Sequence, residues 1–309
     1  MAVEVTARAV RALRLGRLGR ARWLRACTEH PLPPGPILPS AGAPNIQDEA
    51  TFTHLLAAAL GPRRPRRVRL VLPARTVRLH ALPMEPGGAG PPDLRRFLLW
   101  RLDSRLPFPP QEARLAYQTA PNGQPGRQIA LVLATREPVL AQYERLFRGL
   151  GVSVAHLAPA AWQLFRLLAE GAGPPGPGVE SFLAIELDEA TVILSVGGVP
   201  HYVRTFLPIG LAPDPHSQRE GEQRSTGFGP SAAYRGLAEE LYETFDHAAE
   251  TEGLAWPTRL VVGGPGAAML APGLEQALGI PCTAPAPPAL GGRSLAPEAA
   301  AVLAAALSR

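Results

Sequence analysis

Acidic residues occupy the turn of a predicted β-hairpin within residues 182–210 (FLAIELDEATVILSVGGVPHYVRTFLPIG). The segment has two short runs of strand-forming residues around the turn, and a third run that ends at Gly210. Hairpins of this shape hold phosphate groups when glycine leaves backbone N–H groups accessible at the turn. Here the turn carries Asp188 and Glu189 instead. The sequence therefore predicts that this turn binds phosphate weakly or not at all.

The start of the chain repeats this pattern. Residues 3–14 (VEVTARAVRALR) and 185–196 (IELDEATVILSV) share an apolar-Glu-apolar beginning, a turn region and a second strand-forming run. A third run follows each, at 21–27 and 200–210. The Gly/Pro-rich segment at 171–178 separates the two resulting halves.

Helices and further strands complete both halves, which predicts a mixed α/β fold with antiparallel and parallel strands covered by helices. The segment at 259–278 predicts a strand, a glycine turn and a helix, and its glycines fit either a ligand-binding turn or a tight connection without a ligand. A polar stretch lies at 212–231. The other predicted elements are helices at 48–60, 93–106, 138–151, 160–171, 233–252 and 297–307, and strands at 68–73, 113–118, 127–134 and 153–158.

The composition excludes several classes of site. With 309 residues, of which 46% are hydrophobic, the chain can bury a sizeable core, and its length suggests two domains. All 31 basic residues are arginine, so a P-loop lysine, a Schiff-base lysine and a lysine general base are excluded. The seven histidines stand singly, which predicts no metal site. The distant Cys27 and Cys282 indicate a reducing cytoplasm, and no apolar stretch reaches the ~18 residues of a membrane span.

Positive charge is concentrated near the start of the chain. Residues 1–25 contain seven arginines and a single acidic residue, Glu4. This pattern indicates attraction to anionic lipid or nucleic acid, or the solvated face of a hairpin, and we favour the hairpin face. A second basic segment at 63–69 is interpreted as a solvated flank of a strand. The seven arginines are Arg8, Arg11, Arg14, Arg17, Arg20, Arg22 and Arg25.

Four segments resemble a known family: 96–118 (RFLLWRLDSRLPFPPQEARLAYQ), 129–152 (IALVLATREPVLAQYERLFRGLGV), 199–210 (VPHYVRTFLPIG) and 261–274 (VVGGPGAAMLAPGL). With the two hairpins they resemble the actin-like ATPase superfamily, and more narrowly the PilM-like proteins of type IV pilus assembly. The resemblance implies two ribonuclease-H-like lobes, with an α+β subdomain inserted in the first.

The domain bounds expected from this resemblance are as follows. The first lobe covers residues 1–170 and contains the insert at about 75–155. A linker covers residues 171–180. A contracted second lobe covers residues 181–309.

The resemblance also identifies the turns that hold a nucleotide in this family, and the chain departs from the first of them. The family has an Asp followed by Gly and small hydroxyl residues. Here Glu4 takes the place of the Asp and Thr6 that of the Gly, and Ala7, Arg8 and Ala9 follow.

The second turn also differs from the family pattern, while the glycines of the adenosine side are present. Glu186 stands for the Asp and Asp188 for the Gly. The glycines of the adenosine side are present as Gly263, Gly264 and Gly266. These residues, with Glu4 and Thr6, form a degenerate candidate nucleotide site.

Carboxylates at these turns oppose the binding of a triphosphate. Two like unit charges about 4 Å apart repel by about 4 kcal/mol at an effective dielectric constant near 20. This repulsion weakens binding about a thousandfold. Mg²⁺ held through water by Glu4 and Glu186 would offset part of it. We therefore expect neither a cofactor nor nucleotide hydrolysis, and we keep the binding of ATP and Mg²⁺ as an alternative.

The resulting hypothesis is a scaffold protein rather than an enzyme. The resemblance implies a cytoplasmic protein, peripheral to the inner membrane, in the assembly platform of a type IV pilus or a related secretion or competence system. It implies a partner similar to PilN, whose short N-terminal tail lies in a groove between the first lobe and its insert. We expect no nucleic-acid partner, and a homo-oligomer stays open.

Two other hypotheses remain. In one, the chain is an active ATPase whose lobes close on ATP and thereby regulate docking of the partner. In the other, the N-terminal arginines attach the protein to a membrane or to nucleic acid, which rests on charge alone.

Overall fold

The computed structural model describes residues 1–18, 21–84, 91–123, 126–186, 189–207 and 230–308. The chain forms two compact units. Unit 1 comprises Met1–Leu167 and Pro287–Arg309, and unit 2 comprises Leu168–Ala286. Asp188, Gly210 and most of the polar stretch predicted at 212–231 lie outside the described residues.

The secondary structure alternates strands and helices along the chain. In chain order the elements are β1 (Ala2–Val5), β2 (Ala9–Leu18), β3 (Ala21–Pro31), α1 (Glu49–Leu60), β4 (Arg67–Leu72), β5 (Arg78–Met84), α2 (Pro91–Leu102), β6 (Ala113–Pro121), β7 (Gln128–Arg136), α3 (Glu137–Gly149), β8 (Ser153–Pro159), α4 (Ala160–Gly171), β9 (Val179–Ile185), β10 (Ala190–Val196), β11 (Val199–Phe206), α5 (Pro230–Glu252), β12 (Arg259–Gly263), α6 (Ala267–Leu278), β13 (Cys282–Thr283) and α7 (Ala300–Leu307). Short 3-10 turns occur at Pro110–Glu112 and Pro297–Ala299.

Unit 1 is built on a five-stranded sheet with the order β3-β2-β1-β4-β8. β1, β2 and β3 pair antiparallel, whereas β4 and β8 extend the sheet as parallel strands beside β1. Alternating apolar residues place Val3, Val5, Val10 and Ala12 in one hydrophobic core with residues of α1 and α3. The predicted hairpin followed by a third strand is therefore confirmed in this half.

Specific capping residues fix the ends of α1. The Asp48 side chain accepts from Thr51 N (3.0 Å) at the N-terminus, and Gly61 ends the helix with φ 67°. Arg14 of β2 donates to Leu60 O and, over 3.1 Å, to Arg63 O. A cation at the C-terminal carbonyls stabilises the helix because these groups carry partial negative charge.

A three-stranded antiparallel sheet, with the order β5-β7-β6, lies between β4 and β8 in the sequence. Residues of α2 pack with one face of this sheet, and Leu82, Leu98, Leu102 and Val132 are buried together. This is the predicted inserted α+β subdomain. Its bounds are narrower than the predicted 75–155, because α3 contributes its apolar face to the core of the five-stranded sheet.

Asn45 holds the segment between β3 and α1 in place. Its buried side chain donates to Ser40 O (2.7 Å) and Ala43 O (2.8 Å), and its Oδ1 accepts from Ser40 N and from Thr76 Oγ1. Gln142 of α3 accepts from Asn45 N (3.0 Å). These bonds satisfy polar groups that would otherwise be buried without partners.

The C-terminal segment belongs to unit 1, which corrects the prediction that the second lobe covers 181–309. α7 contacts β1, β2 and β4. Arg69 of β4 donates to Ser308 O, and Arg22 of β3 donates to Leu307 O. Two guanidinium groups thus bind the carbonyls at the end of α7, where the helix has no backbone donors for them.

Unit 2 repeats the sheet topology of unit 1. Its five strands have the order β11-β10-β9-β12-β13, with an antiparallel hairpin and third strand followed by two parallel strands. Its core combines the sheet with α5 and α6, through residues such as Leu183, Leu241, Val262 and Leu274. The predicted duplication is therefore confirmed at the level of strand order.

A buried ion pair joins the first strand of unit 2 to its parallel neighbour. Arg259 of β12 lies 2.6 Å from Glu180 of β9, and Glu180 is only 2% exposed. Glu180 also accepts from Gly176 N (3.0 Å). The predicted linker at 171–180 is therefore shorter, because β9 already begins at Val179.

Helix α5 is 23 residues long and contains several acidic residues. None of the helices in the described ranges, α5 included, has the length and apolarity of a bilayer-crossing segment.

Replacing Asn45 tests how strongly the segment before α1 supports unit 1. Asn45→Ala leaves the buried Thr76 hydroxyl and the partly buried N–H and C=O groups of Ser40 without their partner, and a buried group without a partner costs about 1–3 kcal/mol. We expect the free energy of unfolding to fall by about 3 kcal/mol in urea denaturation followed by circular dichroism. The control is Gln47→Ala, whose exposed side chain donates only to Pro44 O and should change stability by less than about 0.5 kcal/mol. Equal effects of both substitutions would contradict this role of Asn45.

Candidate functional site

The first predicted phosphate turn, between β1 and β2, satisfies its own backbone donors. The Thr6 hydroxyl accepts from Arg8 N (3.2 Å) and Ala9 N (3.0 Å), and Thr6 N donates to Ala9 O (2.9 Å). A glycine at the position of Thr6 would leave the N–H groups of Arg8 and Ala9 for an anion. Here a side-chain oxygen of the chain itself occupies both.

Glu4 does not face an open turn but lies inside β1, opposite Arg11 of β2. Its carboxylate lies 3.2 Å from Arg11 Nη1, and the two residues are 4% and 6% exposed. Arg11 also binds Glu29 of β3 (2.6 Å) and Glu298 O (3.1 Å). Burial raises the pKa of Glu4 to about 7, although Arg11 opposes part of that rise. Glu4 is therefore engaged in an internal ion pair.

The second turn, between β9 and β10, has a different register. Ile185 pairs with Ala190, and Glu186 N donates to Glu189 O (2.8 Å). The equivalent bond in unit 1 runs from Thr6 N, so Glu186 occupies the hairpin position of Thr6 and not that of Glu4. The Glu189 residue is 2% exposed. Two glutamates thus flank a turn whose central residues lie outside the described part of the chain.

The glycine turn between β12 and α6 packs directly against the end of β9. A Cβ atom on Gly264 would lie 2.0 Å from Ile185 O, and its φ of +103° also favours glycine. A Cβ on Gly263 would lie 2.8 Å from the Leu168 side chain. Gly266 has φ +74° and precedes α6. Contacts within unit 2 therefore account for Gly263 and Gly264, and the backbone conformation accounts for Gly266, without a ligand.

Several N-terminal arginines bind groups within unit 1 instead of projecting into solvent. Arg11 is buried in its ion pairs, and Arg14 and Arg22 bind the ends of α1 and α7. The interpretation of the N-terminal arginines as a solvated face is wrong for Arg11. The described residues Arg8 and Arg25 are exposed, and the side chains of Arg17 and Arg20 lie outside the described part of the chain.

A small apolar pocket lies on the face of the three-stranded sheet opposite α2. It has a volume of about 140 Å³. The strand register places Leu79, Leu131 and Leu133 on this face, and Trp162 of α4 contributes an aromatic wall. The residues that line it are Leu79, Ala116, Tyr117, Gln118, Leu131, Leu133 and Trp162.

Metal coordination receives no support from the described side chains. In the ranges that the structure covers, no group of three or more His, Cys, Asp and Glu residues could hold a metal ion.

Comparison with known proteins gives a consistent result at the level of structure. No protein-family model matches the sequence, and no curated protein does. A chain of a PilM–PilN type IV pilus biogenesis complex superposes with a TM-score of 0.73 at 21% identity, over 99% of this chain and 97% of that one. A protein from Bacteroides thetaiotaomicron, described as having an actin-like ATPase fold and unknown function, gives 0.51 at 7% identity, over 91% and 89%.

The chain has an actin-like ATPase fold. The cytoplasmic domain of EpsL, an inner-membrane component of the type II secretion system of Vibrio cholerae, is also similar, with a TM-score of 0.51 at 12% identity over 99% of this chain and 93% of that one. Within this actin-like fold, the chain is PilM-like in architecture.

The actin-like fold places the predicted site residues in two groups. Glu4 and Thr6 lie at the first hairpin of unit 1. In unit 2, Gly263 pairs with Ala184 and Gly264 lies against Ile185, so the glycine turn is close to Glu186. Asp188 lies outside the described residues.

Sequence reasoning missed the partner of Glu4 and the apolar pocket. Arg11 could have been found, because a hairpin that turns at residues 6–9 places residues 4 and 11 opposite each other. The pocket could not, since it requires the packing of three strands with Trp162 of α4.

The titration of Glu4 can be tested through the pH dependence of stability. Because the pKa of Glu4 in the folded protein is about 7, above its ordinary value of 4.5, the folded chain binds this proton more tightly than the unfolded chain. The resulting stability is complete below about pH 4.5 and is lost as the pH rises through about 7. Between about pH 5 and pH 8, the free energy of unfolding should therefore fall relative to that of Glu4→Gln in urea denaturation.

The control for this experiment is Glu29→Gln, which removes the exposed acidic partner of Arg11 and keeps Glu4. It should retain the fall in stability with pH. If the free energy of unfolding of the native chain instead rose with pH relative to that of Glu4→Gln, the effect of Arg11 on the pKa of Glu4 would be larger than that of burial.

Proposed function

We propose that this protein is a scaffold of a type IV pilus, or of a related secretion or competence system, and that it binds the short cytoplasmic tail of a PilN-like inner-membrane protein. The observation that carries the proposal is the similarity to a chain of the PilM–PilN complex over 99% of the sequence. In this role the protein lies on the cytoplasmic side, peripheral to the inner membrane. The similarity to the cytoplasmic domain of EpsL agrees with such a place.

The apolar pocket of unit 1 supplies an anchor for one side chain of the tail. Its walls are aliphatic residues of β5 and β7 and the ring of Trp162, which stacks on Phe165 with ring centroids 5.4 Å apart. Aromatic and aliphatic residues in a preformed pocket are the usual anchors of peptide recognition. A volume of about 140 Å³ suits an apolar side chain.

Strand β6 supplies main-chain hydrogen bonds beside this pocket. Among the described strands, β6 pairs only with β7, so its outer edge has no strand neighbour. Its residues 116–118 line the pocket, and much of the strand is exposed. An extended peptide can pair with such an edge while its side chains enter the pocket.

Trp162 is the residue whose removal should weaken binding most. Trp162→Ala is expected to reduce the affinity for a synthetic peptide of the PilN-like tail by at least about tenfold, because central aromatic anchors typically contribute 2 kcal/mol or more. Isothermal titration calorimetry with the full chain measures the affinity. Gln118→Ala, at an exposed position of the same pocket and opposite Leu131 in the strand register, should also weaken binding while perturbing the fold less.

The matched control is Trp100→Ala. Trp100 is 71% exposed on α2, which covers the opposite face of the sheet, and its removal should leave the affinity unchanged. No binding of the peptide at high micromolar concentration would overturn the proposed function. Equal losses in Trp100→Ala and Trp162→Ala would overturn the assignment to the pocket.

We further propose that the protein does not hydrolyse nucleotide. Three observations support this. The donors of the first turn bind the Thr6 hydroxyl, and Glu4 is paired with Arg11 rather than available to a hydrated Mg²⁺. Glu186 and Glu189 place further carboxylates at the second turn. The rival function, an ATPase that regulates docking through ATP, needs both turns to accept phosphate.

Thermal unfolding separates these two functions. A ligand at a hundred times its dissociation constant stabilises the folded state by about 2.7 kcal/mol, which raises the melting temperature by several degrees in a chain of this size. Millimolar Mg-ATP should leave the melting temperature unchanged, while the tail peptide should raise it. A concentration-dependent rise with Mg-ATP would favour the ATPase.

A further inference from the structure

A group of exposed arginines surrounds the start of β4 and the end of α3. The segment 61–69 (GPRRPRRVR) has five arginines and no acidic residue, and the segment 146–153 (LFRGLGVS) adds Arg148 without an acidic residue. We call the exposed members of this group the basic patch. They are Arg63, Arg64, Arg66, Arg67 and Arg148.

Hydrogen bonds to backbone carbonyls hold the two segments of the basic patch together. Arg64 Nη1 donates to Leu150 O (3.2 Å), two residues after Arg148. Ser153 N (3.0 Å) and Ser153 Oγ (3.1 Å) donate to Arg66 O. Arg67 pairs with Ser153 as β4 and β8 begin. The basic patch therefore lies where strands β4 and β8 begin and helix α3 ends.

The arginines of the basic patch have no carboxylate partner in the part of the chain that the structure describes. Considering the residues that the structure covers, none of its five arginines forms an ion pair with a carboxylate. The nearby Arg145 differs, because it pairs with Glu49. Arg69 also differs, because it binds the end of α7. The basic patch therefore presents its positive charge to the solvent.

We propose that the basic patch binds the phosphate headgroups of an anionic lipid bilayer. Guanidinium groups form paired hydrogen bonds with phosphate oxygens, and basic residues at an anionic membrane act additively. The choice of a membrane rests on the proposed function, which brings the protein to the inner membrane. The basic patch would then give the protein a contact with the bilayer that is separate from the apolar pocket.

A nucleic acid fits the basic patch less well. Binding of single strands uses aromatic side chains between the cations, on which bases stack. The exposed aromatic residues of the described chain lie elsewhere in the sequence, and neither patch segment contains one. They are Trp23, Trp100, Tyr117, Tyr242 and Trp256.

Co-sedimentation of the full chain with lipid vesicles tests the proposal. The protein should bind vesicles that contain phosphatidylglycerol, with lower affinity at higher salt, and should not bind phosphatidylcholine alone. Arg66→Gln with Arg67→Gln should lower the partition coefficient by about 25-fold, since each arginine contributes about fivefold. Arg63→Gln with Arg148→Gln should act similarly. Arg64 is kept because its side chain bonds to Leu150 O.

The matched control is Arg25→Gln with Arg96→Gln, which removes the same charge from exposed positions outside the basic patch. It should bind within about twofold of the native chain, because the proposed contact lies elsewhere. Equal losses in patch and control variants would overturn the proposal, as would no binding to phosphatidylglycerol. Tighter binding to duplex DNA than to vesicles at the same salt would identify nucleic acid as the ligand instead.

The vesicle experiment contains no peptide. Loss of the membrane contact would leave peptide binding intact, and failure of peptide binding would leave the vesicle result unchanged. Inorganic phosphate added at the concentration of lipid headgroups should not compete, since a bilayer presents many phosphates at once. Full competition by free phosphate would show a site for a single anion and overturn the membrane assignment.

Discussion

The buried side chain of Arg11 organises unit 1. It forms ion pairs with Glu4 of β1 and Glu29 of β3 and donates to the backbone carbonyl of Glu298, so one guanidinium joins three strands to the segment that leads into α7. Removing one member of a buried pair costs about 3–5 kcal/mol, because the other charge is left without compensation. The same bonds engage the carboxylate that the resemblance places at a phosphate turn. One side chain thus links three strands of unit 1 to its C-terminal segment and engages the carboxylate next to the first turn.

Other arginines of unit 1 also form internal hydrogen bonds that join distant segments. Arg14 binds the end of α1, and Arg22 and Arg69 bind the end of α7. A guanidinium has five donors in a fixed plane, and it can therefore serve two acceptors that a single ammonium group would serve less well. Because these internal bonds consume much of the N-terminal charge, the overall basicity says little about external partners. The exposed arginines that have no carboxylate partner among the described residues, above all those of the basic patch, carry that information.

Periodicity and turn residues predicted the strands, the hairpins and the duplication, because these features depend on neighbours in the sequence. Three features depended on distant packing and were not predicted. The helix at 300–307 packs on β1, β2 and β4, about 230 residues or more from them in the sequence. Helix α3 lies outside the insert, because its apolar face enters the core of the five-stranded sheet. The apolar pocket combines strands β5, β6 and β7 with Trp162. The pairing of Arg11 with Glu4 could have been predicted, because a turn at residues 6–9 fixes the register of the first hairpin.

The glycine turn shows why retained motif residues are weak evidence for a ligand in this fold. Gly264 approaches Ile185 O so closely that no other residue fits, whether or not a nucleotide binds. The sheet and the helix of unit 2 therefore require this glycine for their own packing. The turn at Thr6 has no such requirement, since a side chain replaces the ligand as the acceptor of its backbone donors. Positions under packing constraint keep their residues when a site is lost, whereas positions constrained only by the ligand change. The combination of these glycines with altered turns is what this difference predicts for an actin-like fold with the scaffold function that we propose.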